Sequence, residues 1–155
     1  MTKFKIYIKY IKYILRHKYW VYRILILKNK KMTIQAILHD ISKFLPDEFC
    51  NYAMYYHLDK KIDITKSWHK HILRNKHHWQ YWIFINNEGE IQALEMPKKY
   101  VMEMIADWYA VAITETGIDQ IDLKVNNWYQ IRKNVILLHP DTRNYLEKNL
   151  RTFIY

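Results

Sequence analysis

The sequence predicts a mainly α-helical fold carrying a small β-hairpin, on three observations. Only two of its 155 residues are Gly and three are Pro, too few for a turn-rich sandwich or barrel. Half of the residues are apolar or aromatic, which argues for a packed core and against disorder. Apolar residues recur at helical spacing through most of the chain, whereas one short segment has two apolar arms around a turn. A chain of this length fits one domain, residues 1–155, with a core that needs no cross-link. The single Cys50 cannot form an intramolecular disulfide, so a reducing cytoplasm is the simpler setting.

The first element is a long helix from about Ile6 to Leu27, although "KFKIYIKY" also alternates like a strand, and periodicity does not choose between the two there. Lys3, Lys5, Lys9, Lys12, Arg16, Lys18 and Arg23 interrupt this segment, so it has no apolar run of the ~18 residues that a spanning helix needs. Thr33 is placed to cap a second helix, on which Ile34, Ile37, Leu38 and Ile41 have the spacing of a buried face, and Pro46 stops or kinks it. Asp47 can cap a third helix, "EFCNYAMYYHL", which the polar "DKKID" ends. A fourth covers Thr65 to Leu73, with Trp68 and Ile72 one turn apart on its inner side. The segment "QYWIFINNEGEIQALEM" follows as the hairpin, since Asn and Gly in "NNEG" tolerate the positive φ of a tight turn. Pro97 suits the first turn of the next helix, which runs through "KKYVMEMIADWYAVAI" and ends near Gly117. Two shorter helices, "LKVNNWYQIRKN" and "DTRNYLEKNL", finish the chain.

Chemistry concentrates in four places: His17, the dipeptide His39-Asp40, the group His71, His77 and His78, and Asp107. Imidazole nitrogen and carboxylate oxygen are ligands for Zn, Fe, Mn and similar divalent ions. Adjacent helical residues point about 100° apart, so His39 and Asp40 reach one ion only if it sits between their directions. Asp107 lies among Met104, Ile105, Trp108 and Val111, where a carboxylate is costly to bury without a partner. Of His69 and His71, two apart on a helix, at most one can face such a site. Arg74 makes a suitable phosphate fork. His57 and His139 read as structural, and Trp79, Tyr81 and Trp82 as core or pocket wall.

The ordered pattern of His17, His39-Asp40 and Asp107 resembles the HD-domain superfamily of metal-dependent phosphohydrolases, and "HDISK" matches the His-Asp-x-x-Lys string common among them. The resemblance implies an HD-domain-like helical bundle in which His17, His39, Asp40 and Asp107 hold one metal ion and Lys43 faces substrate phosphate. A shared helix face for His39 and Lys43, four residues apart, would suit that role. His71, His77 and His78 resemble the additional ligands of two-metal members, with His78 also a candidate substrate contact. More narrowly, "LRHKYWV", "LHDISKF", "HILRNKHHW", "EMPKKYVMEMIADW" and "LLHPDTR", spanning roughly Ile14 to Glu147, are similar to a family of small uncharacterised phage and bacterial proteins.

The reading is a phosphomonoesterase or phosphodiesterase acting on a nucleotide or other small phosphorylated molecule, with one or two ions of Mn, Fe, Zn, Co or Mg. Asp40, Lys43 and Arg74 are its catalytic candidates, and Lys43, Arg74 and His78 its substrate contacts. Its place is the cytoplasm, the host's for a phage protein. Two other readings stand beside it. One is a di-iron oxygenase of the HD type, whose ligand set is close. The other is a non-enzymatic nucleic-acid-binding protein, suggested by a net charge of +10, six Trp and fourteen Tyr.

Overall fold

A computed structural model of the chain describes residues 2–150 and 153. Its elements are α1 (Lys3–Lys28), α2 (Thr33–Leu38), α3 (Pro46–His57), α4 (Thr65–Arg74), β1 (Ile83–Ile85), β2 (Ile91–Ala93), α5 (Lys98–Thr116), α6 (Ile121–Arg132) and α7 (Pro140–Leu150), with short 3-10 turns at Lys30–Met32, Ile41–Phe44 and Trp79–Trp82. The fold is therefore mainly α with one small hairpin, as the composition predicts. No helix among the described residues is long and apolar enough to cross a membrane.

Helix α1 starts at Lys3, so the strand-like alternation of its first residues loses to the helical stripe Ile6, Tyr10, Ile14, His17, Val21, Ile24 and Leu25, all buried. That stripe joins two apolar clusters. Ile6, Tyr10 and Ile14 pack with Tyr52 and Ala53 of α3 in the smaller one. Val21, Ile24 and Leu25 pack with Val101, Met104, Ile105 and Tyr109 of α5 and with Leu146 and Leu150 of α7 in the larger. His17 is the stripe residue between them, one turn from Ile14 and one from Val21, so the seam between two dry cores is where α1 presents its only buried imidazole.

Helix α5 runs from Lys98 to Thr116 and ends at Gly117, whose φ of 80° allows the helix to terminate in a conformation disfavoured for other residues. Pro97 precedes the helix in extended backbone rather than sitting inside its first turn. Helix α3 begins at Pro46, with Asp47 in the first turn instead of at the cap. The hairpin pairs Ile83 with Ala93 and Ile85 with Ile91. Its first arm is shorter than the apolar run suggests, because Trp79–Trp82 form a 3-10 turn.

The second helix departs most from expectation. It spans only Thr33–Leu38, preceded by Met32, with Thr33 as its first helical residue. The expected inner face is turned outward: Ile34, Ile37, Leu38 and Ile41 are all more than half exposed. Trp68, expected on the inner side of α4, is 37% exposed, whereas Ile72 is buried. In α2 the helical ladder stops because Asp40 adopts left-handed backbone, φ 54° and ψ 24°, directly after an extended His39. A non-glycine residue there costs about 1–2 kcal/mol, and Asp is among the few types that tolerate it. Lys18 of α1 offsets part of that cost by donating from Nζ to the carbonyl oxygens of Ile37, at 3.0 Å, and His39, which the helix leaves without internal partners.

Candidate metal centre

The break at residues 39–40 determines the site. On a continuous helix the two side chains would diverge; with Asp40 left-handed, both are buried and face the same point, and His39 and Lys43 do not share a helix face. His17 Nε2 lies 3.2 Å from His39 Nε2, 3.6 Å from Asp40 Oδ2 and 3.0 Å from Asp107 Oδ1, and His39 Nε2 lies 3.4 and 3.5 Å from the same two oxygens. Four ligands held tetrahedrally at ~2.0–2.2 Å from a zinc-like ion would be about 3.3–3.6 Å apart. Three of the five edges given, at 3.4–3.6 Å, match that spacing, and the other two, at 3.0 and 3.2 Å, are slightly shorter.

A second group shares Asp40. Its Oδ1 lies 3.3 Å from His71 Nε2 and 3.4 Å from His77 Nε2, and the ligand atoms of Asp40, His71, His77 and His78 all fall within 4.8 Å of one another. The Nε2 atoms of His71, His77 and His78 and Asp40 Oδ1 are buried without any hydrogen-bond partner, whereas Asp40 Oδ2 has Lys43 Nζ beside it. Four such atoms in one place are expensive. A cation satisfies them all, so the residues present fit one or two metal ions. His69, by contrast, is exposed and takes no part.

Behind the ligands stand two carboxylates that the sequence reading missed. Glu103 Oε1 accepts from Nδ1 of His39 at 2.8 Å and also lies 3.3 Å from Nδ1 of His77. Glu48 Oε2 lies 2.8 Å from His71 Nδ1 and accepts from Ser42 Oγ at 3.0 Å. A carboxylate on Nδ1 fixes the tautomer that leaves the Nε2 lone pair for a metal, the usual outer-shell arrangement. Asn75 completes this layer, donating from Nδ2 to Ser42 Oγ and to the His71 carbonyl, both at 2.8 Å. The available signal for Glu103 was its place one turn before Asp107 on an otherwise apolar helix. Glu48 follows Asp47 at the start of a helix, where acidic residues are ordinary, and gave no such signal.

The electrostatics balance within the cluster. Burial alone would raise the Asp40 carboxyl, but His39, Lys43 and His71 hold it well below the usual carboxylate range. Burial likewise opposes ionisation of Asp107 and Glu103; hydrogen bonds from His17 and His39 overcome it for Asp107, and those from His39 and His77 bring Glu103 to about 2. His78 goes the other way: burial, then the neighbouring His77 and His71, keep it neutral and therefore able to ligate. Lys43 Nζ sits 2.6 Å from Asp40 Oδ2. The structure pairs Arg74 with other carboxylates: its Nη1 and Nη2 donate to Asp47 at 3.0 and 2.9 Å, and Nη1 to Glu48 at 2.7 Å. His57 lies against Tyr10 and Tyr13, and His139 Nδ1 accepts from the Asp141 amide at 3.3 Å, both in structural settings.

Fold and site together define a mainly helical protein built around a buried centre of histidines and carboxylates. By its sequence the chain belongs to a family of unknown function (DUF5662), whose pattern matches residues 7–152. No curated protein and no solved structure matches it.

Proposed function

We propose that this protein is a metal-dependent phosphohydrolase with an HD-like centre. One observation carries the reading: Asp40 turns its two buried oxygens to two adjacent sets of imidazoles, one of which has three unpartnered Nε2 atoms. His17, His39, Asp40 and Asp107 would hold one divalent ion, and Asp40, His71, His77 and His78 a second. Ions held there would supply Lewis acidity and lower the pKa of water to about 7, giving a nucleophile at neutral pH.

The remaining work falls to the chain. Glu103 and Glu48 orient three of the imidazoles through Nδ1. Arg74 balances the charge of the buried Glu48, which makes it a positioning residue in this reading rather than a phosphate fork. Lys43 is the cation nearest the shared carboxylate, with burial opposed by the Asp40 and Asp107 charges so that it stays protonated. It is thereby placed to meet a phosphate oxygen and the charge that develops as the ester bond breaks. Hydrolysis transfers the phosphoryl group to water, and the departing ester oxygen takes up a proton.

Elemental analysis of purified wild type, His39→Ala and Asp40→Ala, followed by a phosphatase and phosphodiesterase screen with Mn, Mg, Co, Zn and Fe, tests this. Metal retained by wild type and lost in both variants, with phosphate release to match, is expected. A wild type that binds no metal after supplementation refutes it. The three-imidazole group also suits iron, and oxygen uptake by an iron-loaded protein with no phosphate release would favour an oxygenase instead.

A further inference from the structure

Beside the centre lies a cavity of about 490 Å³, within the ~300–1,000 Å³ of small-molecule sites. Asp107 and His78, one from each ligand group, belong to its wall, so the cavity is continuous with the proposed reaction site. Four of the protein's six tryptophans, Trp68, Trp79, Trp108 and Trp128, line it together with the aliphatic Met104, Val111, Ala112 and Val125. The indoles of Trp108 and Trp128 meet at 4.9 Å and 60°, and Trp68 meets the His78 ring at 5.0 Å and 71°. Trp68 and Trp128 are 37% and 43% exposed, an unusual openness for the largest side chain unless something covers it.

The same wall carries Gln80, Glu115, Thr116 and Lys124, which supply hydrogen-bond donors and acceptors among the indoles. An alkyl chain would use none of them; the edge of a nucleobase would. Among the described residues no arginine lines the cavity, and Lys124 is already turned to Thr116, 3.2 Å from its hydroxyl. That leaves little cationic surface for a polyphosphate tail beyond the centre itself. Resting on the phosphohydrolase reading for what is cleaved, we propose that the tryptophan cavity holds the base of a nucleoside carrying a single phosphate, whose phosphate faces Asp107, His78 and Lys43.

The test is titration of the full-length protein, followed by tryptophan fluorescence, with adenosine, adenosine monophosphate, adenosine triphosphate and hexyl phosphate, each with Mn and with chelator. Adenosine is expected to quench in chelator as in Mn. The monophosphate should bind more tightly once Mn is present and at least as tightly as the triphosphate. Trp128→Ala, at a partly exposed position, should weaken adenosine binding roughly tenfold or more, the loss of one stacking partner, while its metal content stays that of wild type. Hexyl phosphate binding where adenosine does not, a triphosphate that binds far more tightly than the monophosphate, or unchanged adenosine affinity in both Trp128→Ala and Trp68→Ala would each overturn the assignment. Adenosine binding that survives in a protein releasing no phosphate would sink the hydrolase reading and leave the base pocket standing, so the two failures are distinguishable.

Discussion

Glu103 and Glu48 make the proposed metal centre testable without touching a proposed ligand. Glu103→Gln preserves side-chain shape but removes the charged acceptor behind His39, at 2.8 Å, and His77, at 3.3 Å. Those histidines belong to different ligand groups, so one substitution reaches both. Loss of an outer-shell carboxylate costs about 10–100-fold in metal affinity, roughly 1.4–2.7 kcal/mol. The shorter contact places the His17–His39 site near the upper end and the longer one places the His77 site near the lower. Glu48→Gln removes only the partner of His71, so it should weaken the second site by a similar factor and leave the first unchanged. Calorimetric titration of chelator-treated protein with Zn or Mn resolves the two affinities, and circular dichroism controls for folding. Both affinities of Glu103→Gln staying within about twofold of wild type, or Glu48→Gln weakening the site that contains His17, would refute the assignment of these carboxylates.

Three further outcomes follow from the same geometry. Saturating a metal site at a hundred times its dissociation constant adds about 2.7 kcal/mol of stability, or roughly 5–10 °C in Tm for a chain of this size; scanning calorimetry should show that rise in wild type and none in Asp40→Ala, and an unchanged wild-type Tm would count against a metal. Arg74→Ala leaves the fully buried Glu48 with one partner fewer, a loss of about 2 kcal/mol, below that of a buried pair because Arg74 is itself 35% exposed; a fall in substrate affinity with no change in Tm would instead make Arg74 the phosphate contact that its sequence suggests. Burial raises the phenols of Tyr10, Tyr52 and Tyr109 well above the usual value of ~10 and that of Tyr129 to about 12. The neutral form is favoured in the fold, so this stability is complete below pH ~10 and is lost as pH rises through about 12. Tyrosinate absorbance from the buried group should therefore appear together with loss of the helical signal, and ionisation of all fourteen tyrosines before any unfolding would contradict it.

Much of the helical content was legible because it rests on local pattern: the α1 stripe, the apolar length of α5 and the glycine that ends it all act within a few residues. Asp107 was legible for a different reason, as a carboxylate set among apolar neighbours where only a partner makes it tolerable. The α2 region failed on both counts. Ile34, Ile37, Leu38 and Ile41 have helical spacing, yet periodicity does not say which side a helix turns to its neighbours, and here they face outward. The break at Asp40 has no local signal either, since its backbone is held by Lys18, a residue 22 positions away on α1 and donating to the His39 carbonyl. The histidines stood out by type; Glu48 and Glu103 did not, because a glutamate on a helix is ordinarily a solvated residue, and its burial depends on packing that no short window contains.

The left-handed turn at Asp40 restricts this position before any chemistry does. Asparagine keeps the short side chain that such backbone accepts and gives up the charge; glutamate keeps the charge but brings a longer chain into a conformation it resists. The change that looks conservative to a chemist is thus the harsher one for the chain, and where the carboxylate is not needed this position should tolerate asparagine or glycine, which the kinked segment accommodates without being rebuilt.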